Sequence, residues 1–427
     1  MPFNRSSSFR TPVRALVLSI VTTGLLSPAL AARAEDQAPA IGGELLGRPG
    51  TQAHTGDGVP AVPEELTAES WLVADAETGE VLAAHDAHQP LPPASTIKML
   101  FADALLPKFD RDDLYRAQPE HFADLGPGSS AVGIDDHRTY TVEDLWHGVF
   151  LASGNDAVYA LTAMNGGKEE TVAEMNARAE ELQAADTHVV NPDGYDARGQ
   201  VSSAYDLTLI ARSGLQNADF REYAATPDAD FPGEGEGEDR ETYEIQNTNR
   251  LLVGAPGLDP YEGIAGVKNG YTSAAGYTFT GVAERDGRVL LVTVMDPDSG
   301  DNLAVYRETA ALFDWGFSVA GTIRPVGELV RPLSETAGGP DEPAEGEGGS
   351  PQGVGEGSGD GKNAGDVPLE GAAGGGSSGV GPAVVGFTAA GLAVLAAAAW
   401  LFHRRHPLPA AVRAPRPARR PRDAPGE

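Results

Sequence analysis

The sequence predicts a mixed α/β (α+β) domain, in which one antiparallel sheet is flanked by helices and a helical subdomain is inserted into the chain. Two observations predict this class. Strand-like apolar runs joined by tight turns occur near both ends of residues 68–332, and helical periodicity fills the stretch between them. Strands from both ends then share one sheet, and the helices pack against it.

A β-hairpin opens this region. Two apolar runs at 71–75 and 80–84 flank a Glu-Thr-Gly turn at 77–79. A Pro-Pro pair at 92–93 follows, and proline favours the start of a helix, which is predicted over about 95–106.

Helical patterns occupy the middle of the region. A Thr-Val-Glu-Asp sequence at 141–144 is typical of a capping box and begins a helix that runs to about Leu151. Helical periodicity recurs at 156–162, 169–184 and 203–214.

A second hairpin and a last helix close the region. Strands at 276–283 and 288–295 are joined by an Arg-Asp-Gly turn at 285–287. An amphipathic helix follows at about 302–315.

The N-terminal part of the chain carries a targeting pattern. Residues 1–34 combine arginines, an apolar run and small-residue cleavage sites, which is the order found in a secretory signal peptide. An uncleaved anchor is the alternative, although the apolar run is shorter than the roughly 20 residues that span a bilayer. Residues 35–67 are rich in Pro and Gly and are predicted to form a flexible lead-in.

A membrane anchor is predicted near the C-terminus. Residues 333–380 are rich in Gly, Ser and Glu, as in a disordered linker. Residues 381–402 carry no charge and are long enough to cross a bilayer, with a buried core helix as the alternative. The arginine-rich tail at 403–427 is expected to remain in the cytoplasm. We therefore expect a single-pass protein of the cell membrane whose 68–332 domain lies outside the cell.

Composition excludes several classes of site. The 427-residue chain has no cysteine, so thiol nucleophiles, thiolate metal sites and disulfides are excluded. Its net charge of −31 disfavours nucleic acid as a partner, because phosphate binding needs a basic surface. The nine histidines are dispersed without ligand spacing, so neither a metal nor an organic cofactor is expected.

The first candidate motif is Ser95-x-x-Lys98 at the start of a predicted helix. Residues at i and i+3 share a helix face, so the lysine amine can reach the serine hydroxyl. A serine becomes a nucleophile when a base removes its proton, and a lysine is a base only when it is neutral. Alone this motif is weak evidence, because it occurs by chance in many proteins.

The second candidate is Ser153-Gly154-Asn155, in a turn between two predicted helices. Its hydroxyl and amide are suited to relaying a proton and holding a substrate amide. An ordinary helix-capping turn is the alternative.

The third candidate is Lys268-Asn269-Gly270-Tyr271-Thr272, preceded by a strand-like run. A strand lysine beside a glycine, where another backbone can approach closely, suits the binding of a carboxylate. An exposed edge-strand lysine is the alternative.

Together the three motifs resemble the penicillin-binding protein and serine β-lactamase superfamily, whose pattern is Ser-x-x-Lys, Ser-x-Asn and Lys-Thr-Gly in that order. Over about residues 68–318 the chain is similar to one branch, the low-molecular-mass D-alanyl-D-alanine carboxypeptidases. The further segments that carry this similarity are 75–82, 93–96, 191–194, 247–252, 266–268 and 313–317. The resemblance implies a β-lactamase/transpeptidase-like fold.

The resemblance also implies an acyl-enzyme mechanism. Ser95, deprotonated by Lys98, would attack the penultimate D-Ala carbonyl of a peptidoglycan stem peptide in the cell-wall space. Backbone N–H groups of Ser95 and Tyr271 would form the oxyanion hole. The terminal D-alanine would leave, water would release the acyl-enzyme, and β-lactams would acylate the same serine and leave slowly.

The remaining motif residues would bind the substrate. Ser153 would relay a proton, Asn155 would hold the substrate backbone, and Lys268 would attract the terminal carboxylate. The chain departs from the family pattern at Asn269, where a threonine is usual, and Thr272 is an alternative contact for the carboxylate. The stretch after residue 317 leaves no room for the β-rich domain that many relatives carry.

Three other functions remain open at this point. A β-lactamase would need a group that activates water, such as a glutamate between the second and third motifs, and the glutamates of 163–200 lie mostly in a helical, solvated pattern. A D,D-endopeptidase on the same fold would cleave crosslinks between stem peptides. A non-catalytic wall-binding protein would not need all five motif residues.

Overall fold

The computed structural model describes residues 40–56, 58–235, 237–298 and 300–336, and its centre is a seven-stranded sheet. The strands within these residues are β1 (Thr51–Ala53), β2 (Ala68–Asp75), β3 (Glu80–His85), β4 (Leu114–Arg116), β5 (Thr139–Thr141), β6 (Asp228–Pro232), β7 (Thr242–Gln246), β8 (Ile264–Thr272), β9 (Gly276–Arg285), β10 (Arg288–Pro297) and β11 (Gly327–Glu328). Six of them lie in the order β1-β3-β2-β10-β9-β8, and β11 also pairs with β3. All these pairings are antiparallel, whereas β4–β5 and β6–β7 form separate two-stranded sheets. Strands from both ends of the predicted domain therefore share one sheet, as the sequence predicted.

Helices cover both faces of this sheet. They are α1 (Lys98–Leu105), α2 (Val142–Phe150), α3 (Asn155–Met164), α4 (Lys168–Glu181), α5 (Ala204–Gly214), α6 (Ala218–Ala225), α7 (Arg250–Val253), α8 (Ala304–Val319) and α9 (Leu333–Thr336). Side chains alternate along β2: Leu72 belongs to one core with α1–α6, and Val73 belongs to a second core with α8. Central strands are buried on both faces, which explains their nearly continuous apolar sequence.

The predicted elements are confirmed, with one local difference at the first helix. The capping box before α2 is present: Asp144 N–H donates to Thr141 Oγ1 at 3.1 Å, and Thr141 N–H donates to Asp144 Oδ2 at 2.9 Å. The predicted helix at 95–106 instead begins with a 3₁₀ turn over Ala94–Ile97, and the α-helix starts at Lys98. The chain enters this turn through Ala94 in a left-handed conformation, with φ of 50°.

The predicted lead-in at 35–67 is corrected by the structure, because its described residues pack against the domain. Residues Thr51–Ala53 form an edge strand on β3, and the Leu46 side chain is 1% exposed in the larger core. The nitrogen Nε2 of His88 lies 3.0 Å from the carbonyl oxygen of Ile41. A three-residue strand is too short for an alternating pattern to reveal it.

The predicted signal peptide, membrane helix and basic tail lie outside the described residues, and so does the predicted linker apart from its first four residues, which form α9 (Leu333–Thr336). All four remain predictions. Within the described part of the chain, no helix combines the length and the apolar character that crossing a membrane requires.

Replacing Leu46 by alanine is expected to lower the free energy of unfolding by about 2–4 kcal/mol, because it leaves a cavity beneath the N-terminal segment. Urea unfolding measures this change. The matched control is Leu114→Ala, since Leu114 is 69% exposed and its loss is expected to change stability by about 0.5 kcal/mol or less. Equal effects of the two substitutions would show that the segment is not part of the folded unit.

Candidate active site

The fold brings five of the predicted site residues together at one end of α1. Ser95 lies in the 3₁₀ turn, and Lys98 is the first residue of α1. Ser153 lies in the turn between α2 and α3, Asn155 begins α3, and Lys268 lies within β8. Residues that are far apart in sequence thus form one polar cluster between the helical part and the sheet edge.

The amine of Lys98 is the centre of this cluster. Its Nζ donates to Ser95 Oγ at 2.7 Å, to Asn155 Oδ1 at 2.7 Å and to the carbonyl oxygen of Asp193 at 2.6 Å. The residue is 1% exposed. Burial lowers the pKa of Lys98 to about 8, against the opposing charges of Asp193 and Asp156. A substantial fraction of this lysine is therefore neutral at mildly alkaline pH, as a base requires.

Lys268 is the second buried lysine of the site. Its Nζ donates to Ser153 Oγ at 3.0 Å and to the Asn269 carbonyl oxygen at 2.9 Å, and the residue is 1% exposed. Burial and the charge of Lys98 hold the pKa of Lys268 well below its usual range. This repulsion is reciprocal, so a charge on either amine favours the neutral form of the other.

A buried carboxylate, Asp156, fixes the neighbourhood of the Ser153 turn. Ser153 itself has a φ of 56°, a left-handed conformation that is uncommon outside glycine and that occurs often at functional sites. Asp156 accepts N–H donors from Val132 at 2.9 Å, Gly133 at 2.8 Å and Ile134 at 3.0 Å. The loop at 132–134 is thereby fixed to the start of α3, next to the site.

Two glycines allow backbone to approach the nucleophile. A Cβ atom at Gly270 would lie 2.7 Å from the Ser95 backbone nitrogen. A Cβ atom at Gly194, where φ is 87°, would lie 2.1 Å from the Ala94 carbonyl oxygen. β8 and the loop of 191–194 thus enclose the turn that carries Ser95, and both positions require glycine.

Asn269 occupies the position where the family pattern has a threonine. Its Oδ1 accepts from the Thr248 hydroxyl at 2.9 Å and lies 3.5 Å from Lys268 Nζ. This orientation leaves the Nδ2 amide group available to donate a hydrogen bond to another group. The Oγ1 of Thr272 accepts from Ala275 N–H at 3.0 Å, within the turn that follows β8, and Tyr271 is 58% exposed and packs on Tyr277.

Three residues that contact the site were not predicted as site residues from the sequence. Asp193 is fully buried, its Oδ1 accepts from Tyr195 N–H at 3.0 Å, and its Oδ2 has no hydrogen-bond partner in the described structure. Asp156 and Thr248 support the second and third motifs through the contacts above. Asp193 and Thr248 lie in segments that carry the family resemblance, so the sequence contained a signal for them, whereas Asp156 had only its position beside Asn155.

One further cluster, remote from the motifs, combines residue types that can bind metals. Its members are His88, Asp186 and Asp206, the one such group among the residues that the structure describes. The ring nitrogens of His88 lie 2.7 Å from Asp186 Oδ2 and 3.0 Å from the Ile41 carbonyl oxygen, so both nitrogens already have partners. Burial and the charge of Asp186 raise the pKa of Asp206 to about 7. These contacts support a structural role in holding the N-terminal segment.

Residues 57–299 match the profile of the S11 peptidase family, described as D-alanyl-D-alanine carboxypeptidase. A D-alanyl-D-alanine carboxypeptidase of Mycobacterium tuberculosis is 40% identical over 256 residues, which is 59% of this chain and 83% of that protein. One of Escherichia coli is 32% identical over 264 residues, and there the match spans 60% of this chain and 64% of the relative.

Solved structures agree with these matches. The crystal structure of a D-alanyl-D-alanine carboxypeptidase from Mycobacterium tuberculosis superimposes with a TM-score of 0.57 at 36% identity, covering 64% of this chain and 98% of that one. A Streptomyces DD-transpeptidase superimposes with a TM-score of 0.55 at 25% identity, covering 61% of this chain and 99% of the other. The transpeptidase-like fold is therefore shared.

Proposed function

Because the chain belongs to the D-alanyl-D-alanine carboxypeptidase family of serine peptidases, we propose that it removes the terminal D-alanine from peptidoglycan stem peptides. It is a serine-type carboxypeptidase, and its family acts in cell-wall metabolism. The observation that carries the proposal is the 2.7 Å contact between Ser95 Oγ and a buried Lys98 amine.

Acylation begins at this contact. Neutral Lys98 accepts the Ser95 proton, and Ser95 Oγ attacks the carbonyl carbon of the penultimate D-alanine. Backbone N–H groups of Ser95 and Tyr271 stabilise the developing oxyanion, supported by the approach of Gly270 to the Ser95 nitrogen. Asn155 holds both the Lys98 amine and the substrate amide.

The terminal D-alanine leaves beside Ser153 and Lys268. The peptide C–N bond breaks, and its nitrogen takes a proton through the Ser153 hydroxyl, which Lys268 contacts at 3.0 Å. A substrate carboxylate beside Lys268 favours the charged form of that amine, and the charge in turn favours neutral Lys98. Substrate binding therefore promotes the protonation states that acylation needs.

We assign the carboxylate contact to Asn269 together with Lys268. Its free Nδ2 supports this assignment, since the Oδ1 atom faces Thr248 and Lys268. Thr272 lies four residues beyond Lys268 on the strand, about 13 Å at the usual rise per residue, which is too far for one carboxylate to contact both side chains.

Hydrolysis completes the cycle when water attacks the acyl-enzyme, and β-lactams acylate Ser95 by the same route. The described contacts of two glutamates on α4 do not suggest a β-lactamase base: Glu174 pairs with Lys108 at 2.6 Å, and Glu181 accepts from Ser334 N–H. D,D-Endopeptidase cleavage uses the same chemistry on a crosslinked peptide. The export pattern and the apolar segment at 381–402 support a place at the outer side of the cell membrane, in the cell-wall space.

The proposal is tested by incubating the purified protein with a diacetyl-lysyl-D-Ala-D-Ala peptide and measuring D-alanine release. We expect release that stops when one equivalent of penicillin has labelled the protein. A chromogenic cephalosporin is the companion substrate, and we expect slow turnover. Absence of D-alanine release would overturn the carboxypeptidase proposal, and rapid cephalosporin turnover would favour a β-lactamase.

The rate of acylation by penicillin is expected to rise as pH increases through about 8. Lys98 is a base only when neutral, burial lowers its pKa to about 8, and the neutral fraction grows as pH rises through that value. Asp193→Asn removes a charge that raises this pKa, so the rise is expected to move to lower pH. Stopped-flow acylation across neutral and alkaline pH measures both profiles, with Asp124→Asn as the control at an exposed acid. A wild-type rate that is independent of pH would contradict the assignment of Lys98 as the base.

A further inference from the structure

A cavity of about 310 Å³ is lined by the residues that lead into the Ser95 turn and has no role in the steps above. One wall contains Pro93 and Ala94, the residue that precedes Ser95. The loop that carries Tyr195, Asp196 and Arg198 forms another wall. Ala274, just beyond the end of β8, closes the cavity, whose volume is enough for a ligand side chain.

The order of groups along β8 indicates which part of a substrate reaches this cavity. Lys268 and Asn269 bind the terminal carboxylate, and Gly270 lies beside the Ser95 nitrogen, where the reacting carbonyl must sit. Upstream substrate residues therefore run toward Thr272 and Ala274. β8 is the last strand in the sheet order, so its outer edge can pair with an extended peptide.

The charged residues of the cavity remain available to a ligand. Arg198 is exposed, and no ion pair or hydrogen bond of its side chain is present within the described ranges. Asp196 Oδ2 accepts from Ala274 N–H at 3.3 Å, which leaves its second oxygen open. A guanidinium and a carboxylate two residues apart complement a group that carries both an anion and a cation.

The loop is fixed before any ligand binds. Gln200 Oε1 accepts from Val190 N–H at 2.9 Å and from Asn191 N–H at 2.6 Å, and its Nε2 donates to the Tyr195 carbonyl oxygen at 3.1 Å. The Tyr195 hydroxyl donates to the Pro127 carbonyl oxygen at 3.0 Å. Such a preformed site loses little entropy when it takes up a side chain.

We propose that this cavity binds the side chain of the residue that precedes the two D-alanines, and that it selects a diamino acid whose side chain ends in both an ammonium and a carboxylate. Arg198 binds the carboxylate, and Asp196 binds the ammonium. The proposal rests on the carboxypeptidase function proposed above, and it defines the stem-peptide class on which that function acts.

The test compares two peptides that end in D-Ala-D-Ala and differ in one residue. One carries diaminopimelate before the D-alanines, and the other carries lysine, which lacks the side-chain carboxylate. We expect the protein to show a kcat/KM for D-alanine release about tenfold or more higher with the diaminopimelate peptide, as a charge-assisted pair provides. Arg198→Gln is expected to abolish this preference mainly through KM.

Matched variants separate the roles of the two charges. Asp196→Asn is expected to lower kcat/KM for both peptides, because both carry the ammonium, and to keep the ratio between them. Arg116→Gln removes an exposed arginine on β4 and is expected to leave the ratio as it is. Penicillin acylation, which needs no such side chain, monitors the integrity of Ser95 in every variant.

Two outcomes overturn the inference in distinguishable ways. Equal rates for the two peptides, or a preference that survives in Arg198→Gln, overturn the subsite alone. No D-alanine release from either peptide overturns the carboxypeptidase function and the subsite together.

Discussion

Ser95→Ala is expected to abolish covalent labelling by penicillin and to reduce D-alanine release on the order of a millionfold, the loss known for the serine nucleophile of subtilisin. The hydroxyl is the atom that forms the acyl bond, and no other described hydroxyl lies within hydrogen-bonding distance of Lys98 Nζ. Fluorescent-penicillin labelling and amino-acid release measure the two losses.

The fold is expected to survive this substitution. Ser95 accepts one hydrogen bond from Lys98, and the alanine side chain fits the same 3₁₀ turn. Ser318→Ala is the matched control, because this serine lies on α8 against the opposite face of the sheet. Penicillin labelling of a well-folded Ser95→Ala protein would show that another residue is the nucleophile.

Lys98→Met is expected to slow acylation by about 10³-fold, within the range that a general base contributes. Methionine fills the buried volume but cannot take the serine proton. The substitution also leaves Asn155 Oδ1 and the Asp193 carbonyl oxygen without their donor, so we expect a stability loss of about 1–3 kcal/mol.

Two measurements distinguish lost chemistry from lost structure in this variant. Thermal unfolding reports the stability change, and acylation is measured well below the unfolding temperature. Lys108→Met is the control: Lys108 pairs with Glu174 outside the site, and its loss is expected to leave acylation unchanged. Acylation within about tenfold of the wild-type rate in Lys98→Met would exclude this lysine as the main base.

The motif positions were predictable because each rests on local geometry. Ser95 and Lys98 are neighbours through helical spacing, and Gly154 and Gly270 mark the places where the chain turns or is approached closely. The order of the motifs along the chain then supplied the resemblance. The hairpins and the capping box at Thr141 follow from equally local patterns.

Other features depend on contacts between distant segments, which a single sequence does not specify. The Asp193 carbonyl reaches Lys98 only because Gly194 lets its loop pack against Ala94. The described lead-in residues join the sheet through a three-residue edge strand and one buried leucine, a signal weaker than their Pro and Gly content. Arg198 and Ala274 line the same cavity although 76 residues separate them, and a single sequence does not specify such a contact.

The pairing of β2 with β10 has a consequence for when the enzyme becomes active. This pairing joins residues 68–75 to residues 288–297, so the sheet closes only after nearly all of the domain is available. Such a high contact order slows folding, because loop closure must precede the long-range contacts that stabilise it. Ser95 is synthesised early, but β8, which carries Lys268, packs beside it late. A chain in which β8 has not yet joined the sheet therefore lacks the assembled site of Ser95, Lys98 and Lys268, and we expect it to gain catalytic activity and penicillin labelling together in one cooperative step.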